Sequence, residues 1–391
     1  MGTEFDFDRP VCRKNTDSLK WNRYPPDVLP LWVADMDFCS PPAVVDALRR
    51  RVDHGCFGYG MSSEALRQLI CRRLLERQGW EIAPDWIVFL PSLVCGLNVV
   101  CRGVGRPGGK VLVATPVYPP FLSAPGNQGK ELTVLELSPV LGADGRLEYP
   151  LDLERLRRLL SEDVDLFIFC HPHNPTGRVY RRAELLELAR LCRENEVILC
   201  SDEIHGDLLL DEVEFRSPAC LDPALSPWVI TLIAPSKTYN IPGLGCGMAI
   251  VADSNLRRRI LAAARGIVPD VNVLGFAAAE AAYRDGESWL RAVLSYLRRN
   301  RDVAVDFVRK RWPEIPCTVP EATYLLWLDC RKAGIPGSPY RFFLDHARVA
   351  LNDGAAFGAG GEGFVRLNFA CSRSVLQTAL ERMDDALRRC R

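Results

Sequence analysis

Several polar side chains of this 391-residue chain each stand just beyond the C-terminal end of a predicted strand. They offer a phenol, an amide, a carboxylate, an imidazole, a hydroxyl and an amine, on Tyr118, Asn174, Asp202, His205, Ser236 and Lys237. The C-terminal ends of parallel strands share one edge of a sheet, and ligands bind at that edge. We therefore expect these groups, although distant in sequence, to meet at one site.

The lysine has the clearest chemical implication. Only seven of the 49 basic residues are lysines, and the others are arginines, which stay protonated and cannot act as amine nucleophiles. A lysine taken alone is by default a solvated surface charge. Lys237, however, shares its predicted edge with a carboxylate, an amide, an imidazole and a phenol. That combination meets the needs of pyridoxal 5′-phosphate, an aldehyde carried on a protonated ring nitrogen.

The elements that must position these groups alternate between short apolar runs and longer amphipathic stretches, as in α/β proteins. Apolar residues at helical spacing predict helices over Leu153–Leu160, with Asp152 as N-cap, and over Glu184–Glu194. The predicted strands are Trp86–Leu90, Lys110–Ala114, Leu132–Leu137, Leu166–Cys170, Val197–Ser201, Val229–Ala234 and Cys246–Val251. The fold class is therefore α/β, with a mostly parallel seven-stranded sheet and helices on both faces.

The pattern changes after Glu287. A long helix, two strands and a final helix are predicted over Ser288–Arg311, Thr323–Asp329, Phe364–Phe369 and Ser374–Arg388. We thus predict an N-terminal arm or small-domain segment over residues 1–40, a large cofactor-binding domain over 41–286 and a smaller α+β C-terminal domain over 287–391.

Composition argues against several classes of protein. Apolar residues make up 48% of the chain and charged residues 25%, as in ordinary globular proteins. Basic and acidic residues both number 49, so the charge excess of a nucleic-acid binder is missing and a small-molecule partner is expected. The fifteen cysteines have no metal-site spacing, no secretory leader precedes them, and no apolar run approaches the ~18 residues that span a bilayer. We expect a cytoplasmic protein with reduced thiols and no metal.

The segment Gly358–Gly363 fits the pattern G-x-G-x-x-G of dinucleotide-binding proteins. It precedes a predicted strand instead of joining a strand to a helix, so it lacks the geometry that cradles a phosphate. We do not interpret it as a nucleotide site.

The motifs along the chain resemble those of fold-type I, aminotransferase-like pyridoxal-phosphate enzymes, and specifically the MalY/PatB branch, whose best-known activity is cystathionine β-lyase. The likeness covers nearly the whole length, and the motifs occur in family order. They are Lys20-Trp21, Leu29–Phe38, Phe57-Gly58-Tyr59, Thr115–Phe121, Pro172–Gly177, Ser201–His205, Ser236–Asn240 and Phe364–Asn368.

The resemblance implies roles for the residues at the predicted edge. Lys237 would hold the cofactor through its amine and, once displaced by the amine of the substrate, would take the Cα proton. Asp202 would pair with the pyridine nitrogen and keep it protonated. Asn174 and His205 would flank the ring oxygen O3′, and Tyr118 would stack on the ring. The structural alternatives are a helix N-cap for Asp202, a satisfied structural imidazole for His205 and turn packing for Tyr118.

Further roles come from the same resemblance. Arg366 would bind the substrate α-carboxylate through its planar pair of donors. The phosphate would lie where a turn enters a helix, at the backbone of Leu93 and Val94, with a hydroxyl from Ser236.

Two tyrosines complete the predicted site. Tyr59 would reach in from the second subunit of a homodimer with shared active sites and act in catalysis and cofactor binding, or else pack at an interface or in the core. Tyr324 would line the substrate pocket, or else belong to the core.

The branch of the family suggests the reaction. The leading hypothesis is elimination of a thiol from a cysteine S-conjugate, either cystathionine-like or a bulky natural-product conjugate, giving thiol, pyruvate and ammonia. One alternative is decarboxylation with oxidative deamination, as in relatives from antibiotic biosynthesis, which would consume oxygen. Transamination is another and would need a 2-oxo acid. A non-enzymatic regulatory protein is the alternative from a different class, and the intact Lys237 argues against it.

Overall fold

The computed structural model describes residues 5–390. Residues 1–4 and 391, at the ends of the first and last predicted domains, lie outside the described part. The strands are β1 (Leu29–Pro30), β2 (Ile87–Leu90), β3 (Lys110–Thr115), β4 (Glu131–Glu136), β5 (Val140–Leu141), β6 (Leu147–Glu148), β7 (Val164–Cys170), β8 (Ile198–Asp202), β9 (Val229–Ile233), β10 (Gly247–Val251), β11 (Leu325–Asp329), β12 (Val349–Ala350), β13 (Asn352–Asp353) and β14 (Phe364–Asn368). The α-helices are α1 (Leu19–Asn22), α2 (Pro42–Asp53), α3 (Glu64–Gln78), α4 (Leu93–Gly103), α5 (Pro120–Asn127), α6 (Leu153–Leu160), α7 (Arg182–Glu194), α8 (Ser254–Ala264), α9 (Val273–Asp285), α10 (Glu287–Arg311), α11 (Pro339–Phe342) and α12 (Arg373–Cys390).

The largest sheet within residues 5–390 has seven strands in the order β2-β10-β9-β8-β7-β3-β4. Strand β10 runs antiparallel to both of its neighbours, and the other pairs are parallel. The structure thus confirms the predicted mostly parallel seven-stranded sheet. The C-terminal ends of β3, β7, β8 and β9 consequently lie along one edge.

The central strands are covered on both faces, which explains why they read as continuous apolar runs. Every residue of β10 is buried, and so is every residue of β7 except Asp165. The covering helices are amphipathic: α6 buries Leu156 and Leu160 and exposes the arginines between them. Its N-cap is Asp152, whose Oδ1 accepts a hydrogen bond from the backbone N–H of Arg155 at 2.8 Å, as predicted.

A second, three-stranded sheet in the order β11-β14-β13 lies near the C-terminus. Its strand β11 begins at Leu325, two residues later than predicted, because Thr323 has a left-handed backbone with a φ of 72°. The N-terminal segment joins this part of the chain, since β1 pairs in parallel with β12 and the N–H of Asn368 donates to the Leu31 oxygen at 2.9 Å. The division into units at residues 40 and 286 stays a prediction.

The glycine-rich segment forms a turn that leads into β14, so it lies before a strand and not between a strand and a helix. Among the described residues, no helix combines the length and apolar character needed to cross a membrane. None of the fifteen cysteines, all of which the structure describes, forms a disulfide.

Candidate active site

A cavity of about 390 Å³ lies at the edge where the parallel strands of the large sheet end. Leu19 of α1 also lines it and is 67% exposed, so it stands at the opening. Nine of the eleven residues predicted for the site line this cavity: Leu93, Val94, Tyr118, Asn174, Asp202, His205, Ser236, Lys237 and Arg366. The structure therefore brings together groups that are separated by up to 273 positions in the sequence, between Leu93 and Arg366.

Lys237 follows β9 and directs its amine into the cavity. Its Nζ donates a hydrogen bond to the backbone oxygen of Ala34 at 2.7 Å. Withdrawal from water lowers the pKa of Lys237 to about 8, because burial penalises the charged amine. The carboxylates of Asp35 and Asp202 oppose this shift in pKa, and the Arg366 guanidinium adds to it. An amine with such a pKa is neutral in roughly a tenth of molecules at pH 7, far more often than an exposed lysine amine, and a nucleophile or base must be neutral.

Asp202 is the last residue of β8 and is buried. Its Oδ1 accepts a hydrogen bond from the backbone N–H of Ile204 at 3.1 Å. Burial raises the pKa of Asp202 to about 7, against the opposing effects of that N–H and of the Lys237 charge. No basic side chain within the described residues forms an ion pair with this carboxylate at contact distance. A cationic group placed in the cavity would supply the missing partner.

Arg366 lies in the middle of β14 and is buried. Its Nη1 donates to Asn174 Oδ1 at 2.8 Å, and its Nη2 donates to Asn352 Oδ1 at 2.5 Å and to the Trp32 backbone oxygen at 3.0 Å. Its Nε has no hydrogen-bond partner within residues 5–390. These neutral partners fix the guanidinium without neutralising its charge, so the cavity keeps a cation that can bind a carboxylate.

The N-terminus of α4 forms another part of the wall. Ser92 is the N-cap, and its Oγ accepts a hydrogen bond from the Cys95 N–H at 3.1 Å. Leu93 and Val94 are the first residues of this helix, whose opening N–H groups and dipole favour an anion. The helix approaches β10 closely, since a side chain on Gly247 would place its Cβ 2.7 Å from Leu93 Cδ2. With Ser236 also on the wall, this end of the cavity suits a phosphate.

His205 and Tyr118 line the cavity between these two ends. Burial lowers the pKa of His205 to about 3, so the imidazole is neutral at physiological pH. Its Nδ1 has no hydrogen-bond partner in the described part of the chain. Tyr118 is 36% exposed and lines the cavity, so its side chain is accessible to a ligand bound there.

The two remaining predicted residues do not line the cavity. Tyr59 is fully exposed on the segment between α2 and α3. Tyr324 is buried instead of standing at the cavity wall, and its hydroxyl donates a hydrogen bond to the Ala34 backbone oxygen at 2.9 Å.

Sequence reasoning missed the residues that hold the segment around Ala34. Asn368 Nδ2 donates to the Val33 and Asp35 backbone oxygens at 2.6 and 2.8 Å. Asn240 Nδ2 donates to the Met36 and Phe38 backbone oxygens at 3.0 and 2.8 Å. Asn240 and Asn368 are the last residues of two motifs in the sequence, Ser236–Asn240 and Phe364–Asn368. The sequence therefore contained information that could have identified them. Their spacing from Lys237 and Arg366, three and two residues, marked them as neighbours of the site.

The described residues contain no group of His, Cys, Asp and Glu side chains suited to a metal ion. The charges in the cavity are the amine of Lys237, the carboxyl of Asp202 and the guanidinium of Arg366. This donor set fits a small organic ligand with an anionic end and a cationic ring.

Comparison with known proteins agrees with this geometry. "Cystathionine beta-lyase PatB" of Bacillus subtilis is 37% identical over 390 residues, which cover 98% of this chain and 100% of the relative. The crystal structure of cystalysin from Treponema denticola, which contains a pyridoxal 5′-phosphate cofactor, matches with a TM-score of 0.93 at 32% identity, covering 99% of this chain and 100% of that one.

A pyridoxal-phosphate-bound C-S lyase from Staphylococcus hominis, solved with the inhibitor L-cycloserine, matches with a TM-score of 0.92 at 30% identity. The match covers 98% of this chain and 99% of that structure. The family model described as "Aminotransferase class I and II" matches residues 26–383. This chain belongs to the aminotransferase class I and II family.

Proposed function

We propose that this chain is a pyridoxal-phosphate-dependent C–S lyase that eliminates a thiol from an S-substituted cysteine and yields pyruvate and ammonia. The observation that carries the proposal is the placement of Lys237, Asp202 and Arg366 in one cavity. Relatives named as cystathionine β-lyases and C-S lyases, similar over nearly their full length, support it.

The cavity fits pyridoxal phosphate on the evidence of its own residues. Its volume of about 390 Å³ falls within the ~300–1,000 Å³ of small-molecule sites. The N-terminus of α4 and Ser236 would hold the phosphate. The protonated ring nitrogen would be the ion-pair partner that the buried Asp202 carboxyl lacks. The unpartnered ring nitrogen of His205 and the amide of Asn174 would lie toward the ring oxygen. Lys237 would supply the amine to the aldehyde.

Each residue of the site has a separate role in the elimination. Pyridoxal phosphate, when bound, supplies the electron sink that stabilises a carbanion at the substrate Cα. Arg366 binds and orients the substrate carboxylate. The neutral Lys237 Nζ takes the Cα proton, and the Ala34 oxygen, 2.7 Å from it, accepts a hydrogen bond from that amine. The electron pair left at Cα would form a Cα–Cβ double bond as the bond between Cβ and sulfur breaks, and the thiolate would leave with the bonding electron pair. Water would then hydrolyse the released enamine to pyruvate and ammonia.

The assembly and location remain proposals. Tyr59 is fully exposed, and in a homodimer it would complete the site of the other subunit. We also propose a homodimer with shared sites and a cytoplasmic location, as predicted from the sequence. A bulky conjugate from antibiotic biosynthesis is one candidate substrate.

A product survey tests the proposed function. Purified protein loaded with pyridoxal phosphate is incubated with cystathionine and with several S-alkyl and S-aryl cysteines, and pyruvate and free thiol are quantified. We expect both products in equal amounts, without oxygen uptake and without need of a 2-oxo acid. Oxygen uptake with release of carbon dioxide would instead establish oxidative deamination, and dependence on a 2-oxo acid would establish transamination.

Replacement of the lysine tests its assignment. We expect Lys237→Ala to abolish turnover, because no other amine among the described residues lines the cavity and could bind the aldehyde and take the Cα proton. Lys310→Ala, which removes a largely exposed amine, serves as the matched control and should keep full activity. Undiminished turnover by Lys237→Ala would reject the assignment.

A further inference from the structure

The backbone oxygen of Ala34 receives two hydrogen bonds from distant parts of the chain. Lys237 Nζ donates to it at 2.7 Å, and the Tyr324 hydroxyl donates to it at 2.9 Å. A carbonyl oxygen has two lone pairs, so these two donors use its full capacity. The two donors therefore share one acceptor.

The position of this oxygen is fixed by the peptide groups on either side of it. Asn368 binds the backbone oxygens of Val33 and Asp35, the residues before and after Ala34. Tyr324 itself is 1% exposed, and its ring packs edge-on against His205 with centroids 6.3 Å apart. The tyrosine hydroxyl thus meets a fixed acceptor, and its single proton is not available to a substrate.

Several charged or titratable groups surround the Lys237 amine. Asp35 on the N-terminal segment and Asp202 on β8 are acidic, whereas Arg366 on β14 is basic. His205, after β8, is the fourth group that faces the amine. Tyr324 differs from these groups because it acts through a shared hydrogen-bond acceptor and carries no charge. Its O–H dipole points its positive end at the Ala34 oxygen, so that oxygen is a weaker acceptor for an ammonium group.

We propose that Tyr324 is a positioning residue which shares the Ala34 oxygen with Lys237 and thereby weakens the hydrogen bond by which that oxygen favours the protonated form of the lysine. This inference rests on the proposed function, in which the neutral Lys237 amine takes the Cα proton. It replaces the substrate-lining role expected for Tyr324 from the sequence. Tyr324 acts on Lys237 through Ala34 and does not touch the substrate.

The test measures the protonation of Lys237 directly. Tyr324→Phe removes the hydroxyl and keeps the ring. Full-length protein freed of pyridoxal phosphate is treated with acetic anhydride at a series of pH values, and acetylation of Lys237 is quantified by peptide mass spectrometry. We expect the pKa of Lys237 to rise and its labelling at pH 7 to become about threefold slower, as a rise of about half a pKa unit would give. Labelling that is unchanged or faster would overturn the proposal.

Tyr239→Phe is the matched control. Tyr239 is also fully buried, and its hydroxyl has no hydrogen-bond partner within residues 5–390. Its loss should leave the labelling of Lys237 unchanged, and an equal shift in both variants would overturn the proposal. Tyr324→Met, which lacks the hydroxyl and the ring, should shift labelling in the same direction as Tyr324→Phe. A shift in the opposite direction would also contradict the role of the hydroxyl.

A kinetic measurement complements the labelling. With pyridoxal phosphate and an S-substituted cysteine, we expect Tyr324→Phe to move the acid limb of the kcat profile to higher pH and to leave KM within about twofold. A change in KM alone would point to substrate contact and overturn the proposal. The labelling result does not require turnover, so failure of the proposed lyase activity remains distinguishable from failure of this inference.

Discussion

Asp202 shows how a residue can be located from sequence while its electrostatic state cannot. Its place after a predicted strand indicated that it would reach the edge of the sheet. Its burial, which raises its pKa, depends on what packs around it. The adjacent Glu203 is also buried, and burial raises its pKa to about 8. Two neighbouring carboxyl groups therefore favour protonation in the folded chain.

The elevated pKa of Asp202 predicts a pH dependence of stability. A carboxyl whose pKa is higher in the folded than in the unfolded chain stabilises the fold at low pH, and this contribution is lost as pH rises through the folded-state pKa. For Asp202 the pKa rises from 3.8 to about 7. Between pH 4 and pH 8, the unfolding free energy of the cofactor-free wild type should therefore fall by about 2–4 kcal/mol more than that of the Asp202→Asn variant.

Urea unfolding at several pH values measures this difference. Asp306→Asn removes an exposed carboxyl and should follow the wild-type pH dependence. Parallel curves for Asp202→Asn and the wild type would contradict the prediction.

At the residue scale, sequence could predict the side chains with distinctive chemistry and the order in which they occur. It could not predict the Ala34 oxygen, because every residue has a backbone carbonyl and nothing in its type marks one as an acceptor. Nor could it place Tyr324, since a buried tyrosine and a pocket-lining tyrosine have the same letter in the same motif.

At the element scale, the N-terminus of α4 contributes both to the stability of the fold and to the wall of the cavity. Its N-cap Ser92 satisfies the Cys95 N–H, while the next residues line the cavity. Helices could be predicted from sequence where their apolar periodicity is strong, as for α6 and α7. The start of β11 could not, because the left-handed backbone of Thr323 is set by its surroundings.

We predict that Ser92→Ala lowers the unfolding free energy by about 1 kcal/mol, the usual cost of losing an N-cap. It should also weaken the binding of pyridoxal phosphate more than that of pyridoxal, which lacks the anion. Urea unfolding and equilibrium titration measure the two effects. Asp152→Ala removes the N-cap of α6, remote from the cavity, and should reduce stability without changing either affinity. Equal weakening of both ligands by Ser92→Ala would argue against a phosphate at this helix.

At the scale of the whole molecule, the N-terminal segment joins the parts of the chain around the cavity. Lys20 is buried, and its Nζ lies 2.8 Å from Asp37 Oδ2 and 3.4 Å from Asp35 Oδ1. Arg13 contacts the same two carboxylates at 2.9 and 2.7 Å. Sequence displayed Lys20 within a motif but gave it no role, because long-range ion pairs leave no local pattern.

We predict that Lys20→Met destabilises the protein by about 3–5 kcal/mol, since it removes a buried cation from two partly buried carboxylates. Urea unfolding gives the free energy. Lys310→Met, at a largely exposed position, should change it by less than about 0.5 kcal/mol. A loss below about 1 kcal/mol for Lys20→Met would show that Arg13 alone compensates the two carboxylates.

The short helix α1 places two adjacent residues in opposite surroundings. Lys20 is 1% exposed and anchors the N-terminal segment, whereas Leu19 is 67% exposed at the mouth of the cavity. Substitutions at exposed positions usually change stability by no more than about 0.5 kcal/mol. Position 19 can therefore vary during evolution, or be varied by design, to change which molecules are admitted while the anchor beside it is preserved.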